Sequence, residues 1–150
     1  MQRPDYTGFH SGQISFPGGK KEPDDENITA TALREAMEET GIDPSIVSVS
    51  GLLTPLFIPV SNMIVTPVVG WCGHRPLFRH DPDEVVFLIE ASLQKFIEPG
   101  IIKTTPMLLR GETIDVRYFA YDGHVIWGAT AMMLNELLEI IRRDKISLGY

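Results

Sequence analysis

The chain has 150 residues, 43% of them hydrophobic and 22% charged, with a single cysteine, Cys72, and a formal net charge of −7. That length suits one domain, since a chain of this size buries roughly 70% of its unfolded surface on folding. One cysteine excludes an internal disulfide framework, no apolar run approaches the ~18 residues of a membrane span, and the acidic balance argues against a groove tracking nucleic-acid phosphates. Residues 1–15 are polar and mixed, without the apolar core of a signal peptide, so a cytoplasmic location is the expectation.

In chain order, residues 13–16 read as a short strand closed by Pro17-Gly18-Gly19, and residues 20–27 as a polar loop. Ile28–Thr40 reads as a helix, with Ala30, Leu33, Ala36 and Met37 on the face expected to enter the core, and with Gly41 as its stop. Residues 47–55 and 63–72 are rich in β-branched side chains and read as strands. Residues 85–89 form another apolar run, followed by a turn or short helix near residues 92–96. Residues 107–109 and 116–121 suggest a hairpin, with Gly111 and Asp122-Gly123 supplying turn chemistry. Gly128–Arg143 closes the pattern as an amphipathic helix with Ala131, Leu134, Leu137, Leu138 and Ile141 on its apolar face. Two helices among many strands predict an α/β fold, a mixed sheet with helices packed on it. No repeat or linker divides the chain.

The acids are unevenly placed. Residues 21–39 carry Glu22, Asp24, Asp25, Glu26, Glu35, Glu38 and Glu39. On a helix, Glu35, Glu38 and Glu39 stand at i, i+3 and i+4 and share a face. Three neighbouring carboxylates repel unless a cation neutralises them, and oxygen donors on one rigid face suit Mg²⁺ or Mn²⁺. A plain solvated acidic face is the alternative. The histidines His10, His74, His80 and His124 have no metal-ligand spacing among them. Ser11, Ser15 and Cys72 lack the neighbouring base that nucleophilic catalysis needs. Trp127, Tyr118 and Tyr121 could stack on a base, although the apolar neighbours of Trp127 favour packing.

Arg34-Glu35-Ala36-Met37-Glu38-Glu39-Thr40-Gly41-Ile42, preceded by Gly18-Gly19, resembles the Nudix box, G-x5-E-x7-R-E-U-x-E-E-x-G-U. The interval from Gly19 to Arg34 is one residue longer than that pattern. Asp25 keeps the spacing from Gly19 and Glu26 keeps the spacing to Arg34, so the identity of the loop acid stays open. Gly12-Gln13-Ile14-Ser15-Phe16-Pro17-Gly18-Gly19, Thr66-Pro67-Val68-Val69-Gly70 and Ile126-Trp127-Gly128-Ala129-Thr130-Ala131 are similar to the coenzyme A pyrophosphatase branch. That branch carries two upstream arginines. Arg3 stands at the first place and Gly8 at the second.

The resemblance implies a Nudix-type α/β/α sandwich with a shortened N-terminal strand. It also implies metal-dependent hydrolysis of the pyrophosphate bond of coenzyme A or a derivative, giving 3′,5′-ADP and a 4′-phosphopantetheine species. Mg²⁺ or Mn²⁺ would be held by Glu35, Glu38, Glu39 and the Gly19 carbonyl, with Arg34 orienting the acids through a bidentate contact. Arg3, Phe16, Gly18 and Gly19 would meet substrate. Glu35 and Glu84 are the candidates for the general base. The alternatives are another nucleoside diphosphate derivative, such as ADP-ribose, or a non-catalytic nucleotide sensor. The expected partner is a small nucleotide, with no membrane and no nucleic acid. The Ser147-Leu148-Gly149-Tyr150 ending carries no peroxisomal address. An uncovered sheet edge near the N-terminus would invite pairing with a second copy.

Overall fold

The computed structural model describes residues 1–4, 11–109 and 111–144. They belong to two compact units, Met1–Ile89 and Glu90–Tyr150.

The first unit is organised by one helix. Asn27, extended at φ −151°, caps α1 (Ile28–Thr40) by accepting the Ala30 N–H at 3.0 Å; an Asn side chain there satisfies a donor the helix itself leaves open. Gly41 ends it at φ +71°, and its N–H donates to Met37 O. A Cβ on Gly41 would lie 2.5 Å from the Arg79 carbonyl, so glycine is required sterically as well as conformationally. Arg79 N–H in turn donates to Thr40 O at 2.8 Å, tying a later loop to the end of the helix.

The buried face of α1 differs from the expected one. Thr31, Glu39 and Thr40 are buried, whereas Met37 is 45% exposed. The helix turns polar side chains inward because Asp25 and the Gly18-Gly19 turn lie against it. The threonine hydroxyls bond back to carbonyls one turn earlier, Thr31 to Asn27 and Thr40 to Ala36, so their burial leaves no open donor.

Beyond α1, a 3-10 turn at Pro44–Ile46 leads into β1 (Val47–Leu52), β2 (Leu56–Ile58), β3 (Met63–Val65) and β4 (Val68–Cys72). β1 pairs antiparallel with β4, and β2 with β3. Leu53 N–H to Pro67 O carries the pairing across the gap between the two ladders, so residues 47–72 form one long ribbon interrupted at Pro55 and Pro67. Sequence reading overlooked β2, a three-residue run between prolines, and merged β3 with β4.

Residues 1–3 lie between two other segments. Gln2 bridges both Ile14 and Phe87, with Arg3 N–H to Gln13 O at 3.1 Å and Val86 N–H to Gln2 O at 3.0 Å. The expected open edge is therefore absent at Gln2, which is paired on both sides. The predicted strand at residues 13–16 reduces to the bridge at Ile14, and the apolar run at residues 85–89 contributes the bridge at Phe87.

In the second unit, β5 (Ile102–Leu109), β6 (Glu112–Tyr121) and β7 (His124–Ile126) form an antiparallel sheet in that order. Asp122 (φ 45°) and Gly123 (φ 84°) make the two-residue turn between β6 and β7, both in the left-handed region that such hairpins use. α2 (Gly128–Arg143) buries Leu134, Leu138 and Ile141, three of the five expected positions, leaving Ala131 and Leu137 half-buried. Phe96, in the 3-10 turn Lys95–Ile97, meets Phe119 edge-on at 5.5 Å and stacks on Tyr121 at 4.8 Å. Lys95 covers the Tyr121 ring, and Ser92 N–H donates to its hydroxyl. Tyr121 is thus committed to packing rather than to a nucleotide base.

The Phe96 side chain is 2% exposed. Phe96→Ala should cost about 3 kcal/mol of stability, read from the urea midpoint, because the cavity sits between two rings that cannot collapse onto each other.

Candidate active site

The site begins with Arg34. Its Nε and Nη2 donate to the two oxygens of Asp25, each at 3.0 Å, in a two-pronged fork. Nη2 also donates to Lys20 O, and Nη1 reaches Glu35 at 3.0 Å and Glu38 at 2.9 Å. One guanidinium thus ties the loop before the helix to two helix acids, a geometry for which its planar donors are suited. Asp25, rather than Glu26, is the loop acid that faces Arg34; Glu26 is exposed. Asp25 is further held by the Glu22 N–H at 2.9 Å, and Lys21 Nζ donates to its carbonyl. These hydrogen bonds, the Arg34 fork foremost, hold the Asp25 carboxyl well below the usual carboxylate range and push the Arg34 guanidinium further up.

Glu39 lies in the opposite environment. It is 3% exposed and accepts the Gly18 N–H at 2.7 Å. Burial pushes its carboxyl up, opposed by the Gly18 bond and by Arg3, whose Nη1 lies 3.9 Å away. The charges of Glu35 and Glu84 push in the same direction as burial. Glu84, in the turn after Asp81, is therefore within electrostatic reach of Glu39. Glu35 reaches the same dipeptide: a Cβ on Gly19 would collide with the Glu35 carboxylate. Gly18, at φ +154°, lies where only glycine is comfortable. The Gly18-Gly19 turn thus receives two carboxylates, and neither glycine admits a side chain without displacing one of them or straining the backbone.

Glu39, Glu35 and the backbone of Gly18-Gly19 converge, and Arg3 stands beside Glu39. Glu38 is exposed and shares Arg34 Nη1 with Glu35, which holds the two carboxylates side by side. Phe16, expected at the substrate, is exposed just before the turn. Among the described residues, no three His, Cys, Asp or Glu side chains already form a metal cage. The donor set nonetheless fits a hard divalent cation: all its ligand atoms are oxygens, and Glu39 is a buried acid whose charge is undercompensated. Among the described residues, Arg3 Nε is buried with no hydrogen-bond partner, a donor suited to an anionic group. Gly8 and His10 lie outside the described residues, as does the C-terminal tail at residues 145–150. Sequence reading placed Glu84 only as one of two base candidates; its link to Glu39 needs the fold, because α1 and the turn meet through Arg79.

The NUDIX domain profile matches residues 1–131. The chain is similar to "Uncharacterized Nudix hydrolase NudL" of Photorhabdus laumondii, 35% identical over 133 residues, which is 89% of this chain and 71% of that protein. It is equally similar to proteins of the same name from Yersinia pestis and Yersinia pseudotuberculosis, each 36% identical over 138 residues, 92% of this chain and 69% of theirs. Among the described residues no helix is long and apolar enough to cross a membrane.

Two outcomes follow from the geometry. Asp25 is ionised more readily folded than unfolded, so its stabilising contribution is complete above the ordinary Asp pKa of about 3.9 and is lost as pH falls through the lower folded value. Asp25→Asn should therefore lower the urea midpoint at pH 7, with the gap from wild type closing below about pH 4, while Glu26→Gln should match wild type at both. Gly19→Ala should retain the far-ultraviolet circular dichroism spectrum but cut turnover by at least about 100-fold, because it displaces Glu35.

Proposed function

This chain belongs to the Nudix hydrolase family, and from that premise we propose that it hydrolyses the pyrophosphate bond of coenzyme A or a derivative, releasing 3′,5′-ADP and a 4′-phosphopantetheine species. The observation that carries this reading is the convergence of Glu35 and Glu39 on Gly18-Gly19, with Arg3 Nε beside them. The similarity of residues 12–19 to the coenzyme A branch supplies the substrate. The match to residues 1–131 runs through both compact units and supports reading the chain as one catalytic domain.

Nudix hydrolases use divalent metal ions; Mg²⁺ or Mn²⁺, when bound, would shield the phosphate charges and acidify a water molecule. Glu35, Glu39 and the Gly19 carbonyl are the groups we assign to hold it, with Glu38 as the outer acid held by Arg34. Arg34 positions: its guanidinium is saturated by Asp25, Glu35, Glu38 and Lys20 and has no donor to spare for substrate. Arg3 donates from Nε to a phosphate oxygen. The bare turn at Gly18-Gly19 lets a diphosphate approach the backbone. Glu84 stands outside the Arg34 network and is the residue we assign to accept a proton from the attacking water.

The second reading, a Nudix hydrolase for ADP-ribose or a similar nucleotide, rests on Gly8 at the place of the second arginine, which removes a cation suited to the 3′-phosphate of coenzyme A.

Incubation with coenzyme A and Mn²⁺ should give 3′,5′-ADP by mass spectrometry, while ADP-ribose stays intact; cleavage of ADP-ribose alone would move the chain to the second reading. Glu39→Gln should lower turnover by at least about 100-fold. In metal-free buffer at pH 7 the same variant should unfold at higher urea, because it removes a charge that burial disfavours.

A further inference from the structure

Residues 79–87 run from the end of α1 to the bridge at Gln2 and are pinned at both ends. At one end, Arg79 N–H fills the Thr40 carbonyl, one of the acceptors that a helix leaves open at its C-terminus, and the Arg79 carbonyl packs over Gly41. At the other, Val85 is fully buried, Val86 N–H donates to Gln2 O at 3.0 Å and Gln2 N–H donates to Phe87 O at 3.0 Å. Between these anchors residues 80–84 are exposed, so core packing does not set their course. Glu84, the residue assigned above to accept a proton, is the last of them.

Local hydrogen bonds order this stretch, and they centre on Asp81. Its carboxylate Oδ1 accepts the Asp83 N–H at 2.9 Å, and its carbonyl accepts the N–H groups of Glu84 at 3.2 Å and Val85 at 2.8 Å. Aspartate suits that place because its short side chain reaches the backbone two residues on, and Pro82 presets the next φ for a turn. The turn delivers Val85 to the core and leaves Glu84 exposed, where its charge acts on the buried Glu39. Asp81 Oδ1 is committed to a backbone donor, and among the described residues Asp81 belongs to no cluster of three metal-ligating side chains.

We propose that Asp81 is the positioning residue for Glu84, its carboxylate closing the 81–85 turn so that Glu84 is held toward the acids of α1; this rests on the reading of Glu84 as the proton acceptor. What Asp81 supplies is an acceptor at Oδ1 rather than a negative charge. Asparagine offers the same acceptor and alanine offers none. A reacting group displaced by about 1 Å can lose on the order of 100-fold in rate, so a loosened turn is felt in kcat. Asp81 itself meets no substrate, so KM is spared.

The test is steady-state turnover of coenzyme A, with ADP-ribose in parallel, in the presence of Mn²⁺. Asp81→Ala should lower kcat by about 10-fold or more with KM within about 2-fold, and Asp81→Asn should restore kcat to within about 2-fold of wild type. In a Glu84→Gln background, Asp81→Ala should lower kcat no further, because nothing is left to position. Equal losses in both backgrounds overturn the proposal and leave Asp81 a structural cap alone. An asparagine variant as impaired as the alanine one also overturns it, since charge is then what matters. Near-wild-type kcat in Glu84→Gln overturns the base assignment and the proposal with it, whereas a large loss there beside an unaffected Asp81→Ala overturns the proposal and leaves the base assignment standing. Amide hydrogen exchange needs no turnover. Asp81→Ala should speed exchange at Asp83, Glu84 and Val85 by about 10-fold or more while α1 stays protected, and Asp81→Asn should not. Unchanged exchange in Asp81→Ala overturns the proposal, whether or not either nucleotide is cleaved.

Discussion

Arg34 is where the acidic half of the first unit is made compatible with itself. Without it, Asp25, Glu35, Glu38 and the neighbouring Glu22 would place like charges together against the C-terminal half of α1, a helix that has no basic residue in its last turn to offset them. The two-pronged contact with Asp25 does more than neutralise. It fixes the direction in which the loop returns to the helix, and that loop begins at Gly18-Gly19. The position of the glycine turn, and so the place where a diphosphate could approach the backbone, follows from a single planar cation one turn away.

Glu39 shows what the same helix does when that compensation is withheld. Asp25 is buried and held ionised by a full set of donors. Glu39, fourteen residues later, is as deeply buried, with one strong donor, a distant guanidinium and two carboxylates pushing against it. Two acids on one scaffold are thereby driven in opposite directions, Asp25 toward its ionised form and Glu39 toward its protonated one. The fold carries an energetic cost at Glu39 that no apolar packing requires.

Both helices were legible to the residue, because their ends are written in local chemistry: Asn27 and Gly41 for the first, the glycine at position 128 and the closing arginines for the second. The burial of the first helix was not. Its apolar residues mark a face by periodicity, yet Met37 stays open and Glu39 does not, since the covering element is a polar glycine turn whose position depends on Arg34. Spacing alone left Asp25 and Glu26 equivalent, and only the reach of the guanidinium separates them. The short strand Leu56–Ile58 was missed because three residues between prolines carry no period. The apolar run after Glu84 carried no assignment by its pattern alone; Val85 is fully buried, and Val86 and Phe87 bond to Gln2.

Pro55 and Pro67 interrupt the two halves of the long ribbon at nearly the same level, where Leu53 is paired with the Pro67 carbonyl and Leu56 with Val65. Neither proline can donate a ladder hydrogen bond, so a sliding of one strand past the other would set a missing donor against an acceptor that needs one. An uncharged, apolar ribbon is the kind of sequence most prone to wrong pairings. Here the prolines act as detents: they leave the native alignment intact and make its neighbours costly, so an uncharged ribbon can still settle on one partner strand within its own chain.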